Sequence, residues 1–392
     1  AGLARSAYEE FESRLQPYLN IEAPPTERVG SVWALVAPAD SFELLARFVS
    51  HQDLDLLRAA ADQVFSELDP RLDLPVDERP YAALHGKTLK HSSWLRDGLA
   101  NTLVLVAVLG EHAGLISGSS TQSYVSSLIE NLPGLRENYR LIASLGAQLP
   151  YLMEAAPDPL LSALERLLEG DGSAIIGIFE QSGLWGLSSS HTHVLWALEM
   201  LAWDPVYLDR ASLILARMAQ LDPGGRLLKR SINSLRSVFL PWYPCTNAPL
   251  NVRLRVLDQL LRAYPDVGWD LLVRLLPKDH DINDPTPRPR WREAGETERP
   301  PLMAKGHDEI VRRAIDLVED SPERWAAILG KISLFTPDER KRVYDGLLSF
   351  SLKKTVPEES KVAVWEVLRE RLQFLRRVAS ASRLLSKDDF EQ

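Results

Sequence analysis

The stretch LWALEMLAWDPVYLDRASLILARMAQLDPGG, residues 195–225, decides the fold class. Its second half carries apolar residues at three- and four-residue steps, namely Tyr207, Leu208, Ala211, Ile214, Leu215 and Met218. That spacing predicts an amphipathic α-helix with one apolar face. Asp204 and Pro205 precede this helix: the aspartate can accept a capping hydrogen bond, and a proline is tolerated in the first turn. The sequence Asp222-Pro-Gly-Gly ends the helix.

The segment before this helix, residues 194–203, is apolar around nearly its whole circumference. A helix of that kind must be buried between neighbours. Because only Asp204-Pro205 separates it from the next helix, we expect the two to pack together as an αα-hairpin. Glu199 is the only charge of the segment, and a buried carboxylate of this kind needs a partner such as an arginine.

Similar helix starts recur along the chain. They lie at Asp158-Pro159, at Ser321-Pro322 and at Thr336-Pro337, where Glu339 completes the spacing of a capping box. Helical periodicity also covers the ranges 5–17, 41–50, 53–67, 92–110, 121–131, 135–153, 249–263, 265–276, 307–319 and 358–380. The chain is therefore predicted to be all-α, with antiparallel helix pairs stacked as a HEAT-like α-solenoid, a superhelix.

Non-helical stretches divide the chain. They cover 69–90, 239–249 and 277–301, and the aromatic residues of the second predict that it packs onto the helices. The expected organisation is an N-terminal helical segment with a proline-containing connector (1–90), a central helical-repeat array (91–276), a polar Arg/Pro-rich insertion loop (277–306) and a C-terminal helical segment (307–392).

The composition limits the classes of protein to consider. The chain has 392 residues, of which 45% are hydrophobic and 25% charged, and a net charge of -9, so as a whole it repels polyanions such as nucleic acid. The single Cys245 excludes a disulfide framework and a thiolate cluster, which favours a cytoplasmic protein. No apolar run reaches the roughly 20 residues that cross a bilayer. The chain begins AGLARSAYEE, without Met or a signal peptide, so we expect a piece of a longer protein.

His191-Thr-His193 raises the question of a metal site. Residues two apart on a helix point about 200° away from each other, so both imidazoles cannot face one metal ion. We therefore expect a helix start after capping serines, with no metal and no cofactor. Asp279-His280-Asp281 is a second possible cation site, but three adjacent polar residues in a loop are more often simply solvated.

No sequence motif of a catalytic centre is present. Phosphate-binding loops of the GxxxxGK[ST] type and GxSxG serine motifs are absent from the sequence. The alternative enzyme is an (α/α)-toroid that cleaves carbohydrates and needs two carboxylates near aromatic side chains. Glu180, Glu199 and Asp204 are its candidates. Asp204 is already explained as a cap and Glu199 as a buried charge, so we predict no catalytic residue.

The candidate binding residues lie in the insertion. Arg288, Arg290, Trp291 and Arg292 form the one locally basic patch of the sequence, with Arg299 further along. Arginines that alternate with proline project to different sides of an extended chain and can bind a phosphate or an acidic partner. The alternative is that they pair with nearby glutamates, which are Glu293, Glu296 and Glu298. Nucleic-acid binding through this patch is a minor hypothesis.

Three segments resemble a known group of proteins. The stretch 195–225, SLRSVFLPWYPCT at 234–246 and PRPRWRE at 287–293 are similar to helical regions of large bacterial STAND-type NTPase proteins. The resemblance implies a sensor or scaffold region whose NTPase and effector lie in other domains, so no catalytic residue carries over to this chain. We therefore expect a non-catalytic, cytoplasmic module that binds a protein trigger or adjoining domains of its parent chain.

Overall fold

The computed structural model describes residues 7–115, 120–181, 189–293 and 303–377. Within these ranges the fold is all-α, with seventeen α-helices and one two-stranded antiparallel sheet. The chain divides into two compact units. The first comprises Ala1–Trp203, Leu221–Arg230 and Pro287–Ala294, and the second comprises Asp204–Gln220, Ser231–Thr286 and Gly295–Gln392. The predicted boundaries after residues 90, 276 and 306 stay predictions.

The first unit holds nine α-helices and the sheet among its described residues. Its elements are α1 (Tyr8–Leu15), β1 (Thr26–Val29), β2 (Val32–Leu35), α2 (Pro38–Leu45), α3 (His51–Phe65), α4 (Ser93–Leu109), α5 (Thr121–Glu130), α6 (Tyr139–Leu145), α7 (Leu149–Ala155), α8 (Pro157–Leu167) and α9 (His191–Leu201). Short 3-10 helices lie between them at Gln16–Asn20, Ala46–Phe48, Pro70–Asp73, Arg79–His85, Gly146–Gln148 and Ile176–Phe179.

The second unit holds the remaining eight α-helices of the described chain. They are α10 (Leu208–Gln220), α11 (Ser231–Phe239), α12 (Leu250–Ala263), α13 (Pro265–Leu275), α14 (Met303–Leu317), α15 (Pro322–Leu329), α16 (Pro337–Leu352) and α17 (Glu358–Arg377). A 3-10 helix follows α15 at Ile332–Leu334. Helix α10 packs on α11 and α12, α12 on α13, α13 on α14, α14 on α16, and α15 on α17.

The core of the first unit is built around α7. This helix packs against α4 and α9, and α5 packs against α4 and α8. Leu103 on α4, Leu152 on α7 and Leu198 on α9 are fully buried. Helices α4 and α9 are apolar on most sides, which is the pattern of a helix enclosed by neighbours. The prediction that α9 is buried is confirmed except at Trp196, which is 39% exposed.

Several helix starts follow the sequence. His191 begins α9, as predicted, and Thr336 and Glu339 form the predicted capping box at the start of α16. The Thr336 hydroxyl accepts from the Glu339 amide, and the Glu339 carboxylate accepts from the Thr336 amide at 2.7 Å. The predicted hairpin of α9 and α10 would join the two units and stays a prediction.

Other local predictions are wrong. The single helix expected over 135–153 is broken into α6, a 3-10 turn and α7. Pro150 causes a break here because its ring has no N–H to donate and clashes with the carbonyl four residues earlier, that of Gly146. Gly146 itself has a positive φ of 52°. Helix α11 and the β1–β2 hairpin, which turns at Gly30 with a φ of 64°, were not expected.

The prediction that the loop at 239–249 packs down is confirmed in part: Leu240, Cys245 and Thr246 are buried, whereas the aromatic Tyr243 is 45% exposed. On α17, Trp365, Leu368 and Leu372 line an apolar groove with Leu347 of α16, and Trp365 is more than half exposed. Among the described residues, none of the helices combines the length and apolar character that a membrane crossing needs.

Candidate functional site

The candidate binding residues lie in a short non-helical segment, residues 287–293, which bends at 290–292 and which we call the strap. It belongs to the first unit, whereas the chain up to Thr286 belongs to the second. Pro287 and Pro289 favour an extended backbone, since proline restricts both its own φ and the conformation of the residue before it. The prolines therefore restrict the backbone at Arg288, and Arg290 and Arg292 follow in the bend.

One buried carboxylate fixes the strap. Glu154 of α7 is 1% exposed. Its Oε2 accepts the backbone N–H of Arg290 at 3.1 Å, and its Oε1 accepts those of Trp291 at 2.6 Å and Arg292 at 2.9 Å. A buried carboxylate must be hydrogen-bonded to be tolerated, and hydrogen bonds to a charged acceptor are stronger than neutral ones. The three consecutive amides therefore satisfy Glu154, and Glu154 sets the register of the strap.

The side chain of Arg292 provides a second attachment. Its Nε donates to the backbone carbonyl of Glu154 at 2.7 Å, and its Nη2 donates to Oε1 of Gln122 on α5. Gln122 is itself positioned by a hydrogen bond to the Ala155 carbonyl at 2.6 Å. Arg292 therefore binds the helices rather than Glu293, its neighbour in the sequence. The other glutamates of the alternative pairing, Glu296 and Glu298, lie outside the described residues, as does Arg299.

The other two strap arginines are exposed and lie over indole rings. The guanidinium carbon of Arg288 is 3.9 Å from the centroid of the Trp203 ring, and that of Arg290 is 5.0 Å from the Trp291 ring. Cation–π contacts of this kind hold a guanidinium in place without consuming its hydrogen-bond donors. Arg290 can therefore donate to a ligand while its guanidinium stays over the ring.

A groove lies beside the strap, with a volume of about 480 Å³. Its lining residues are Ala147, Pro150, Tyr151, Glu154, Trp196, Met200, Pro287, Arg288 and Arg290. Tyr151 and Glu154 are three positions apart on α7, and Trp196 and Met200 four apart on α9, so each pair lies on one helix face. The groove is thus an apolar and aromatic cavity with two arginines at its edge, and its size suits a small ligand or a few side chains.

The carboxylates considered for a sugar-cleaving enzyme are each engaged separately. Glu180 forms an ion pair with Arg79 at 2.7 Å, and Asp204 accepts the Val206 amide at 2.9 Å as a turn-capping group. The buried Glu199 pairs with Lys229 at 2.8 Å, so its partner is a lysine rather than an arginine. In the described residues these three side chains serve separate local contacts.

The histidines at the start of α9 have structural partners. His191 is buried, with Nε2 2.8 Å from the Lys229 carbonyl and Nδ1 beside the Ser189 hydroxyl. The carbonyl requires a proton on Nε2, so Nδ1 accepts from Ser189. The prediction that a serine side chain caps this helix is wrong, because Ser190, which precedes α9, makes no side-chain cap hydrogen bond. Burial lowers the pKa of both His191 and His193 below the ordinary value of 6.5.

A second, polar cavity of about 290 Å³ lies in the first unit near His193. Its charged lining residues are Asp69, Arg71, Arg79 and Glu180. Arg71 holds Asp69 through two nitrogens, and Arg79 pairs with Glu180. Since burial lowers the pKa of His193, that side chain is neutral at neutral pH and the described charges of this cavity cancel. The strap groove differs, because the oxygens of Glu154 accept backbone N–H groups and the Arg290 guanidinium has no carboxylate partner among the described residues.

Neither candidate cation site gains support. Asp281 accepts from Trp242 Nε1 at 2.8 Å and is paired with Arg236, whereas Asp279 and His280 are exposed. Among the residues that the structure describes, no group of three His, Cys, Asp or Glu side chains is placed to hold a metal ion.

Sequence reasoning missed the residues that complete the site. Glu154 is the single charge of LPYLMEA, residues 149–155. Like Glu199, it is a lone carboxylate in an apolar helix, and such a carboxylate needs a partner when it is buried. The sequence around Tyr151 and Trp196 does not indicate that their side chains are accessible, since both residues lie in apolar helices. A comparison with models of known protein families finds no match, and neither does a comparison with curated proteins.

Proposed function

We propose that this chain is a non-catalytic binding module whose strap groove recognises a segment of a protein partner or of an adjoining domain. The observation that carries the proposal is the groove itself: Tyr151, Trp196 and Met200 form its wall, and Arg288 and Arg290 stand at its edge. Aromatic residues, Met and Arg are the types enriched at protein interfaces and at their energetic centres.

The rigidity of the strap supports a binding role. Ordering flexible side chains and loops on association costs roughly 0.5–1.5 kcal/mol for each immobilised side chain. Three amide hydrogen bonds to Glu154 and the contacts of Arg292 order the strap before any ligand arrives. A partner that binds the groove therefore avoids much of that cost.

The separate pairing of Glu180, Glu199 and Asp204 supports a non-catalytic role, because paired catalytic carboxylates must face one substrate. We further propose that the helix pairs form a HEAT-like α-solenoid and that the module serves a larger, cytoplasmic STAND-type protein as its sensor or scaffold. In that case nucleotide hydrolysis belongs to other domains of the parent protein.

Site-specific photo-crosslinking tests this proposal. Tyr151 is replaced by the photoreactive amino acid p-benzoylphenylalanine in the intact parent protein, in cells of its natural host. The matched control carries the same amino acid at Tyr81, which is 49% exposed in the first unit and lies outside the groove lining.

The expected result is one discrete protein adduct from position 151 and none from position 81. A second variant, Trp196→Ala, is expected to abolish that adduct while the protein stays folded, because the indole is 39% exposed. Equal labelling from both positions, or an adduct that is insensitive to Trp196→Ala, would refute recognition by this groove.

A further inference from the structure

We propose that the ligand of the strap groove is an acidic peptide segment with one apolar side chain at its centre. The apolar side chain enters the cavity between Tyr151 and Trp196, and a carboxylate beside it pairs with Arg290. This inference rests on the proposed function, since it specifies the chemistry of the partner at the same groove.

The charge of the groove is the first argument. The chain as a whole carries a net charge of -9, so a positive site is a local departure from the rest of the protein. The lining holds two arginines and one carboxylate. Glu154 is buried and its oxygens already take three backbone N–H groups, so it is not an ion-pair partner for the Arg290 guanidinium. The groove edge therefore attracts carboxylates.

The geometry of the arginines is the second argument. Arg290 lies over Trp291 and has no carboxylate partner among the described residues, so its guanidinium donors remain available. A guanidinium fork binds a carboxylate through two parallel hydrogen bonds. Since the strap fixes the backbone at Arg290, the fork is aimed before the ligand binds.

The apolar wall is the third argument, and it separates a peptide from a nucleic acid. Nucleic-acid affinity comes mainly from neutralising several phosphates, and the overall charge of -9 opposes a long polyanion. Tyr151, Trp196 and Met200 instead form a concave cavity of about 480 Å³, which a Leu or Phe side chain can fill. An apolar side chain flanked by carboxylates matches both parts of the groove, whereas a phosphate backbone matches only the arginines.

Fluorescence anisotropy on the full chain tests the inference. The probe is a labelled pool of nine-residue peptides with Leu or Phe at the centre, Asp or Glu at four of the flanking positions and random residues elsewhere. The control pool has Asn and Gln in place of Asp and Glu, and a single-stranded oligonucleotide of the same net charge serves as the nucleic-acid competitor.

The acidic pool is expected to bind at least about tenfold more tightly than the amide pool, with an affinity that falls as salt is raised. Arg290→Gln is expected to weaken binding about three- to tenfold, and Trp196→Ala about tenfold or more. The matched control Arg166→Gln, at a 64% exposed arginine of α8, is expected to leave binding unchanged.

Three outcomes would overturn the inference. They are absence of binding by the acidic pool, equal binding of the two peptide pools, and displacement of the peptides by the oligonucleotide at lower concentration. If the Tyr151 crosslink still captures a protein in these cases, the proposed function stands and only the ligand chemistry is wrong. If that crosslink also fails, the proposed function fails with it.

Discussion

Replacing Glu154 with glutamine tests the account of the strap directly. The glutamate carboxylate accepts three strap amides at 3.1, 2.6 and 2.9 Å. Glutamine has one acceptor oxygen and an NH2 group, so at least one of the three N–H groups faces a donor and loses its acceptor. The remaining hydrogen bonds become neutral, which weakens each of them.

The size of the effect follows from these bonds. A hydrogen bond to a charged group contributes about 1.5–3 kcal/mol and a neutral one about 0.5–1.5 kcal/mol. The loss of one charged bond and the weakening of two others sum to about 3.5–6 kcal/mol, and removal of a buried charge offsets part of this. We therefore expect the docked strap to lose about 2–4 kcal/mol, or roughly 30- to 700-fold in its closing equilibrium.

Hydrogen exchange of the amides of Arg290, Trp291 and Arg292 measures this quantity. In Glu154→Gln these amides are expected to exchange roughly 30- to 700-fold faster, in proportion to the shift of the closing equilibrium. Trypsin is expected to cleave after Arg290 and Arg292 more readily, because both bonds are released with the strap. The control Glu130→Gln removes an exposed glutamate that pairs with Arg136 and should leave the strap unchanged.

Exchange at these three amides within about threefold of the wild-type rate, in a folded Glu154→Gln protein, would refute the reasoning. It would mean that the strap is held by the Arg292 side chain or by packing of Trp291 rather than by Glu154. The inferred pre-alignment of Arg290 would then lose its structural basis.

Further predictions concern the first unit. Arg96 is buried and donates to the Val64 carbonyl at 3.0 Å, the Ser144 carbonyl at 2.8 Å and the Gln148 side chain at 3.1 Å. Arg96→Met is therefore expected to lower the free energy of unfolding, measured by urea titration, by about 2–4 kcal/mol. An unchanged urea midpoint would contradict this. Leu103→Ala removes a fully buried side chain of α4 and is expected to cost about 2–5 kcal/mol by the same measurement. Burial lowers the pKa of His191 and His193 in the folded state, so the unfolded chain binds more protons than the folded chain below pH 6.5. The free energy of unfolding is therefore expected to fall as pH drops below 6.5, by at most about 1.4 kcal/mol per pH unit for each histidine. A free energy of unfolding that stays constant from pH 7 to 5 would contradict this.

The start of a helix could be predicted because its cause is local. The Thr336 capping box closes within four residues, and His191 begins α9 where the apolar periodicity starts. The break before α7 was also within reach of the sequence, since Pro150 and Gly146 are four residues apart and their incompatibility in one helix is a local steric fact. Over 135–153 the apolar periodicity continues through Pro150, although the proline interrupts the helix itself.

The sequence predicted the strap residues of the candidate site but not the residues on which the strap docks. Arg288, Arg290, Trp291 and Arg292 stood out because basic and aromatic residues alternate with proline in a polar loop. Nothing in that loop indicated that it docks onto α7, and its main partner Glu154 lies more than 130 positions away in the chain. Trp196 was expected to be buried, since an apolar circumference does not tell which side of a helix borders a groove.

The amino-acid sequence by itself determined the all-α character of this protein, the places where many of its helices begin, and the segment that carries its arginines. These properties depend on hydrogen bonds and steric contacts between residues a few positions apart, so they are written in short stretches of sequence. The tertiary structure alone decided that the strap closes on Glu154, that Arg292 faces inward while Arg290 faces out, and that Trp196 lines a groove. Such contacts join distant parts of the chain, and their geometry is set by how whole helices pack.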